Sequence, residues 1–375
     1  MNCCRKLAAK LQNHHKRITP DTHQNLPRAT RVCISIWFLL DDVDSPGTER
    51  RQRRNLLTNT PQDDPLLRPP SLPRRGRIAA TKPPVALTIA GFDPSSGAGI
   101  TADLQTFAAH GLFGTSAITA LTVQSTQSVA AIQPLPASTL RRTLNHLTAD
   151  LPPAGVKIGM LGTLEIVREV ADFLQEMDED NADKPLIPFI LDPVLQSSSG
   201  TWLIDAEGLE HLREHLLDRV SWITPNWREL ALLSGAPVED RPTAEWAMNL
   251  LGELHPHLNI LATGGDQVAP TDLLRTSAGE IHAFSGNRVE TTSTHGTGCA
   301  FSSALLSRFI LGDTAHAAIT AAKSYVEGAL RHAPGLGSGR GPMDLLWPLR
   351  DNRHELVKHS HPIIQTKQRG LRWHT

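Results

Sequence analysis

The stretch VALTIAGFDPSSGAGITADLQTF, Val85 to Phe107, places an apolar, β-rich run directly before a helical pattern, with Gly91, Gly97 and Gly99 in between. A strand that feeds a helix through a short glycine-bearing turn is half of a βαβ unit. The spacing is not G-x-G-x-x-G, which argues against a dinucleotide fingerprint. The texture continues downstream. Strands are expected at 85–91, 116–124, 155–161, 188–195, 220–226 and 258–265. Helices are expected at Ala98–His110, Ala137–Ala149, Leu164–Met177, Ala206–Leu217, Trp227–Ser234 and Thr243–Leu254. TDLLRT and EIHAFSG, separated by SAG, suit a hairpin, and two helices follow, from about Cys299 to Leu311 and from Asp313 to His332. The expected fold is α/β, a doubly wound, mostly parallel sheet flanked by helices over residues 85–350.

Outside that span the composition changes. The first 84 residues hold 16 Lys and Arg against 7 Asp and Glu, and the remainder holds 21 against 31. RRQRRN and LLRPPSLPRRGR lack any sustained period, so 1–84 reads as a basic, disordered extension and 351–375 as a tail. The basic runs lack interleaved aromatics, which argues against a nucleic-acid site. VCISIWFLL, Val32 to Leu40, is too short to span a bilayer and lacks a cleavage pattern, so no membrane association is expected. Three of the four cysteines, Cys3, Cys4 and Cys33, lie in the basic front, and only Cys299 lies in the body. The body cannot close a disulfide within itself, which suits a reducing, cytoplasmic setting.

In a doubly wound sheet, ligands sit beyond the carboxyl ends of the strands. Four loops there carry candidate chemistry. The turn after the first strand offers Gly91, Gly97 and Gly99 for close backbone approach, and Asp103 on the first turns of its helix either faces the pocket or serves the helix dipole. LDPVL ends an apolar strand on Asp192, suited either to a metal-bound phosphate or to a turn before Pro193. In TPNWREL, Asn226 and Glu229 have capping-box spacing, and the acid can also orient a magnesium-bound water. The fourth loop is THGTGCAFSS. Gly296, Thr297 and Gly298 can aim successive N–H groups at an anion at a helix start. A thiol there, Cys299, is expected to have a lowered pKa and to act as base or nucleophile, unless it is a small packing residue. A Cys299–His295 pair for acyl transfer is the rival, although no orienting third group accompanies it.

Taken in order, ALTIAGFDPSSGAGITADLQTF, ITALTVQSTQSV, VKIGMLG, LDPVL, ITPNWREL and THGTGC resemble the hydroxymethylpyrimidine and phosphomethylpyrimidine kinases of thiamine biosynthesis, in the ribokinase superfamily. The resemblance covers about 70% of the chain, residues ~85–350. It implies an ATP- and Mg2+-dependent kinase that phosphorylates 4-amino-5-hydroxymethyl-2-methylpyrimidine and then its monophosphate, and it suggests a homodimer. It also implies that Gln124 hydrogen-bonds the aminopyrimidine, with Gly91, Asp103 and Met160 at other pocket positions. Gly296, Thr297 and Gly298 match the anion hole, and Cys299 matches the superfamily's catalytic base, usually Asp. Asn226 and Glu229 match an N-x-x-E pattern that places magnesium and phosphates through water, with Asp192 assisting.

The chain departs from the pattern in three places. Thr263, Gly264 and Gly265 stand in the nucleotide-binding segment where many relatives carry Lys-Gly-Gly, VLQSSSG lacks a lysine often seen after DPV, and Phe92 replaces a usual serine. Lys323 of AAKSYVEG matches a late family lysine that reaches the nucleotide, or is an exposed helix lysine. Two alternatives stand beside this reading: a pyridoxal or pyridoxine kinase, and a non-catalytic pyrimidine-binding sensor.

Overall fold

The structure, a computed structural model, describes residues 82–180, 187–197, 200–264 and 270–350. The basic front up to residue 81, Gly265 and the tail from 351 lie outside the described residues.

The elements alternate as expected. They run β1 (Val85–Phe92), α1 (Gly99–Ala109), β2 (Phe113–Gln124), β3 (Val129–Pro134), α2 (Ala137–Asp150), β4 (Gly155–Ile158), α3 (Leu164–Asp180) and β5 (Phe189–Leu191). Then come α4 (Ala206–His211), β6 (Trp222–Ile223), α5 (Trp227–Ser234), α6 (Arg241–Leu254), β7 (Asn259–Ala262), β8 (Thr271–Arg275), β9 (Ile281–Ser285), α7 (Thr297–Ile310) and α8 (Ala315–Arg331). One nine-stranded sheet has the order β3-β2-β1-β4-β5-β6-β7-β8-β9. Its centre from β2 to β7 is parallel, and β3, β8 and β9 add antiparallel edges. This is a ribokinase-like α/β architecture.

Side-chain alternation divides the core. Leu87 and Ile89 of β1 join Phe189, Leu191, Ile260 and Ala262 in one layer under α2, α3, α5 and α6. Ala86, Ile190 and Leu261 face the opposite layer, built on α1, α7 and α8. Both faces of the central strands are therefore covered, which is why β1, β4 and β5 read as nearly continuous apolar runs. The chain leaves β1 toward one edge and returns at β4 on the other side, so the crevice falls beyond the carboxyl ends of β1 and β4.

Several expectations shift. The strand expected at 220–226 pairs only over Trp222–Ile223, and that at 188–195 only over Phe189–Leu191. Pro225 and Pro193 follow closely, and a residue without an N–H cannot extend the ladder. The helix expected to Leu217 stops at His211 and passes through a π turn, Leu212–Leu216, and a 3-10 turn, Leu217–Arg219. β3 was not expected. It is an edge strand with four exposed residues of six, so it lacks the apolar alternation that marks a half-buried strand.

Candidate active site

The turn after β1, Gln124 at the end of β2 and Asp192 after β5 meet at the start of α7. Gly296 caps α7 in the left-handed region, at φ 78°, and a Cβ there would collide with the Gly97 carbonyl. Only glycine lets the two loops touch. This close approach brings the turn after β1 against the Gly296–Gly298 segment, whose N–H groups open the helix.

Beneath that segment lies a buried charge network. Asp103 is fully buried, and its carboxylate accepts from Thr88 Oγ1 at 2.6 Å, from Ser303 Oγ at 2.7 Å and from Lys157 Nζ at 3.0 Å on both oxygens. Lys157 is equally buried, and its ammonium stands 3.9 Å from Asp192. Burial pulls the Lys157 pKa down, yet the surrounding negative groups prevail and hold it above the usual lysine value. Asp192 accepts from Ser302 Oγ at 3.3 Å. Burial pushes its carboxyl up, against the opposing pull of Lys157.

The thiol differs from expectation. Burial pushes Cys299 up to about 12, with Asp192 and Asp103 adding to the rise. Lys157 and the Gly99 N–H pull it down and do not prevail. Desolvation of a thiolate outweighs what the helix start offers, so the lowered pKa expected from sequence is corrected: Cys299 stands as a thiol.

Asn226 and Glu229 form a reciprocal capping box, with Asn226 N–H donating to Glu229 Oε2 at 2.9 Å and Glu229 N–H donating to Asn226 Oδ1 at 3.0 Å. The cap does not exclude a second role. The Glu229 carboxyl is pushed up to about 8, first by burial and then by the charge of Asp192. Two desolvated, mutually repelling carboxylates are what a hard cation would relieve. Among the described residues no three His, Cys, Asp or Glu side chains group to hold a metal. Mg2+ does not require such a cage, since it is commonly held by one or two carboxylates together with substrate phosphates. Thr224 Oγ1, between β6 and Asn226, is buried without a partner among the described residues, which leaves a hydroxyl for a hydrated ion or phosphate.

Thr263 pairs beside Asn226, donating its N–H to Pro225 O at 2.8 Å. Lys323 does not lie on an exposed face. It is ion-paired at 2.5 Å with Asp272, whose other oxygen accepts the Gly264 N–H, so the lysine braces the Thr263–Gly264 turn.

At the other end of the crevice, Gly91 lies against Met160, whose sulfur would meet a Cβ on residue 91 at 3.0 Å. Met160, Ala120 and Leu203 form a small apolar cluster with Ile132 and Val194 beside them. Gln124, at the end of β2, contacts His295 at 3.0 Å, and His295 donates to Asp93 at 2.7 Å. Gly91 and Met160 touch each other, and Gln124 is tied to the turn after β1 through Thr122, which donates to Phe92 O at 3.0 Å. Asp103 stands apart, in the buried network, with both oxygens engaged.

Sequence reasoning did not single out Lys157, Asp93, Ser302 or Ser303. A lysine inside GVKI was the available signal, since a charge in a fully buried parallel strand demands a partner. Asp93 had one as well, because D-P-S invites the Asx turn that it makes with Ser95.

The ribokinase-like sheet, with the Gly296–Gly298 segment opening α7 above the buried charge network, is the architecture of a small-molecule kinase. The family model for phosphomethylpyrimidine kinase matches residues 93–344. A hydroxymethylpyrimidine/phosphomethylpyrimidine kinase of Synechococcus elongatus is 37% identical over 268 residues, covering 71% of this chain and 98% of the relative. The crystal structure of phosphomethylpyrimidine kinase from Clostridium difficile is similar at a TM-score of 0.56 and 31% identity, covering 65% of this chain and 98% of that one. The ADP complex of Bacillus subtilis pyridoxal kinase is similar at a TM-score of 0.63 and 28% identity, covering 72% and 100%. The chain belongs to the phosphomethylpyrimidine kinase family.

Proposed function

We propose that this chain uses ATP to phosphorylate the hydroxymethyl group of 4-amino-5-hydroxymethyl-2-methylpyrimidine and then phosphorylates the monophosphate to the diphosphate, in thiamine biosynthesis. The observation that carries the reading is the contact of Gln124 with His295, the residue that precedes the Gly296–Gly298 segment, at 3.0 Å. It supports a site where Gln124, with a donor and an acceptor for a heterocycle edge, lies near the helix start that carries Cys299. Residues 85–350 are the kinase domain in this reading, which includes a cytoplasmic homodimer.

Phosphoryl transfer depends mainly on positioning and charge neutralisation. Bound Mg2+ supplies positive charge to the phosphates, and Asp192 and Glu229 would hold it, partly through water. The N–H groups of Gly296, Thr297 and Gly298 receive the transferring phosphoryl oxygens. Cys299 loses its own proton to solvent and then accepts that of the substrate hydroxyl, Lys157 and the Gly99 N–H favouring its thiolate against the burial that opposes it. Asp103 and Lys157 act here without touching substrate. Thr263, Gly265 and Lys323 belong to the nucleotide side, Lys323 acting through Asp272 on the turn.

Pyridoxal phosphorylation is the second reading, favoured by the likeness to solved pyridoxal kinases. Steady-state turnover of the full chain with Mg-ATP tests both readings against the hydroxymethylpyrimidine, its monophosphate and pyridoxal. Preference for the two pyrimidines supports the proposal, and preference for pyridoxal overturns it. Tight pyrimidine binding without ATP consumption makes the chain a sensor.

A further inference from the structure

His295 joins the two ends of the crevice. Its backbone N–H donates to Gly341 O at 3.1 Å, and the next residue begins the phosphate segment. Its ring packs on Gly97 so closely that a Cβ there would collide with it. The ring therefore has little room to turn.

Nε2 of this ring lies 2.7 Å from Asp93 Oδ2 and 3.0 Å from the nitrogen position of the Gln124 amide. One ring nitrogen either donates or accepts. The Asp93 carboxylate already receives the Ser95 N–H at 2.8 Å, the Ser95 hydroxyl at 2.7 Å and the Ala98 N–H at 2.9 Å, so it meets Nε2 as an acceptor. Nε2 is consequently an N–H, and an N–H cannot face an amide NH2. The oxygen and nitrogen of an amide are told apart by their hydrogen-bond partners, so the carbonyl oxygen of Gln124 belongs on the His295 side.

The far side of the amide agrees. Thr122 Oγ1 lies 3.0 Å from Phe92 O and 3.3 Å from the other Gln124 atom. Its single proton goes to the carbonyl of Phe92, so its oxygen accepts from the Gln124 NH2. The single Nε2 proton is then shared between Asp93 at 2.7 Å and the Gln124 carbonyl at 3.0 Å, with no two donors left facing each other. Gln124 keeps one N–H and one oxygen lone pair uncommitted, the complement of a ring nitrogen beside an exocyclic amine.

We propose that Asp93 and His295 are positioning residues that fix the direction of the Gln124 amide, and so set selectivity for an aminopyrimidine edge. This rests on the pyrimidine reading of the pocket. The histidine serves recognition and is not half of a cysteine protease-like pair.

The test has two arms on the full chain. Ring 15N spectra, with the His295 signal identified by its loss in His295→Gln, are expected to show a protonated Nε2; a bare Nε2 overturns the assignment. In turnover, His295→Leu is expected to raise KM for the hydroxymethylpyrimidine by about tenfold or more, the order expected for losing an aligned polar contact, with kcat within about threefold. KM for pyridoxal should move much less. His295→Gln, which can still present an N–H, should recover most of the loss. A fall in kcat alone, an equal loss for all substrates, or no recovery with Gln overturns the proposal. If the unaltered protein turns over neither pyrimidine, the substrate reading fails, while the ring-proton measurement still decides the His295 assignment.

Discussion

Two polar networks meet at the start of α7, and they differ in how they spend their hydrogen bonds. In the Asp103–Lys157–Asp192 network the lysine and Asp103 are fully buried and each has opposite-charge or hydroxyl partners. In the Asp93–His295–Gln124 network the histidine side chain keeps 13% of its surface and Gln124 retains a donor and an acceptor. A closed network holds a geometry; the open one is the part proposed to read a ligand. Substitution should therefore damage folding in the first and discrimination in the second.

The largest expected effect breaks the closed side. Lys157→Met removes the cation and leaves the Asp103 carboxylate buried, a loss on the order of 3–5 kcal/mol for one partner of a buried pair. Urea denaturation should show a midpoint far below that of the unaltered protein, and adding Asp103→Asn should recover part of it. Equal midpoints would mean that water reaches the site and that the network is not closed.

Cys299→Ala sharpens the same contrast from the chemical side. Removing a small buried thiol should cost about 1 kcal/mol of stability, whereas loss of a positioned proton acceptor lowers kcat by roughly 10²–10⁴-fold. Turnover together with thermal melting separates the two. A variant that melts normally and turns over at the original rate would reduce Cys299 to a packing residue.

How much of this was legible in the sequence follows the same division. The β8–β9 hairpin was legible because TDLLRT and EIHAFSG flank a short SAG turn, and the strands pair antiparallel from Thr271 to Ser285. β1, β4 and β7 were legible as apolar runs because both faces are covered. β3 was not, since an exposed edge carries no core-facing alternation. At the site, Gln124, Cys299, Asn226 and Glu229 stood in recognisable local motifs, but their partners did not. His295 and Asp93 are 202 residues apart, and Lys157 and Asp103 are 54 apart, so only the sheet brings each pair together. The thiol's pKa was misjudged for the same reason: the helix start is local, whereas the burial that prevails comes from layers assembled across the chain.

Glu229, beside Asp192 of the closed network, gives a pH-dependent test. Its folded value, about 8 against an ordinary 4.5, means that its contribution to stability is complete below about pH 4.5 and is lost as pH rises through about 8. Chemical denaturation across that window should show stability falling with pH, and Glu229→Gln should flatten the slope. An unchanged slope in the variant would assign the dependence to other groups.

The smallest expected effect concerns the proposed nucleotide side, where the family resemblance implies a lysine at the position of Thr263. Lys323 does not substitute directly, because its charge is spent on Asp272 and reaches the Thr263–Gly264 turn only through that carboxylate's bond to the Gly264 N–H. In the proposed function, neutralisation of phosphate on this side would therefore fall to backbone N–H groups and bound metal more than to a lysine. Thr263→Lys loses only a weak hydroxyl contact to Pro225 O, at 3.4 Å, and adds a charge at the edge of the crevice. A partly solvated charge pair is worth about 0.2–1 kcal/mol, so KM for ATP should fall by a factor of about 1.4 to 5 with KM for the pyrimidine unchanged. The gain should fade as salt is raised, since exposed charges are screened. An effect on the pyrimidine KM instead would show that the two ends of the crevice are coupled, and that the division between a closed, shape-holding network and an open, reading one does not extend to the nucleotide.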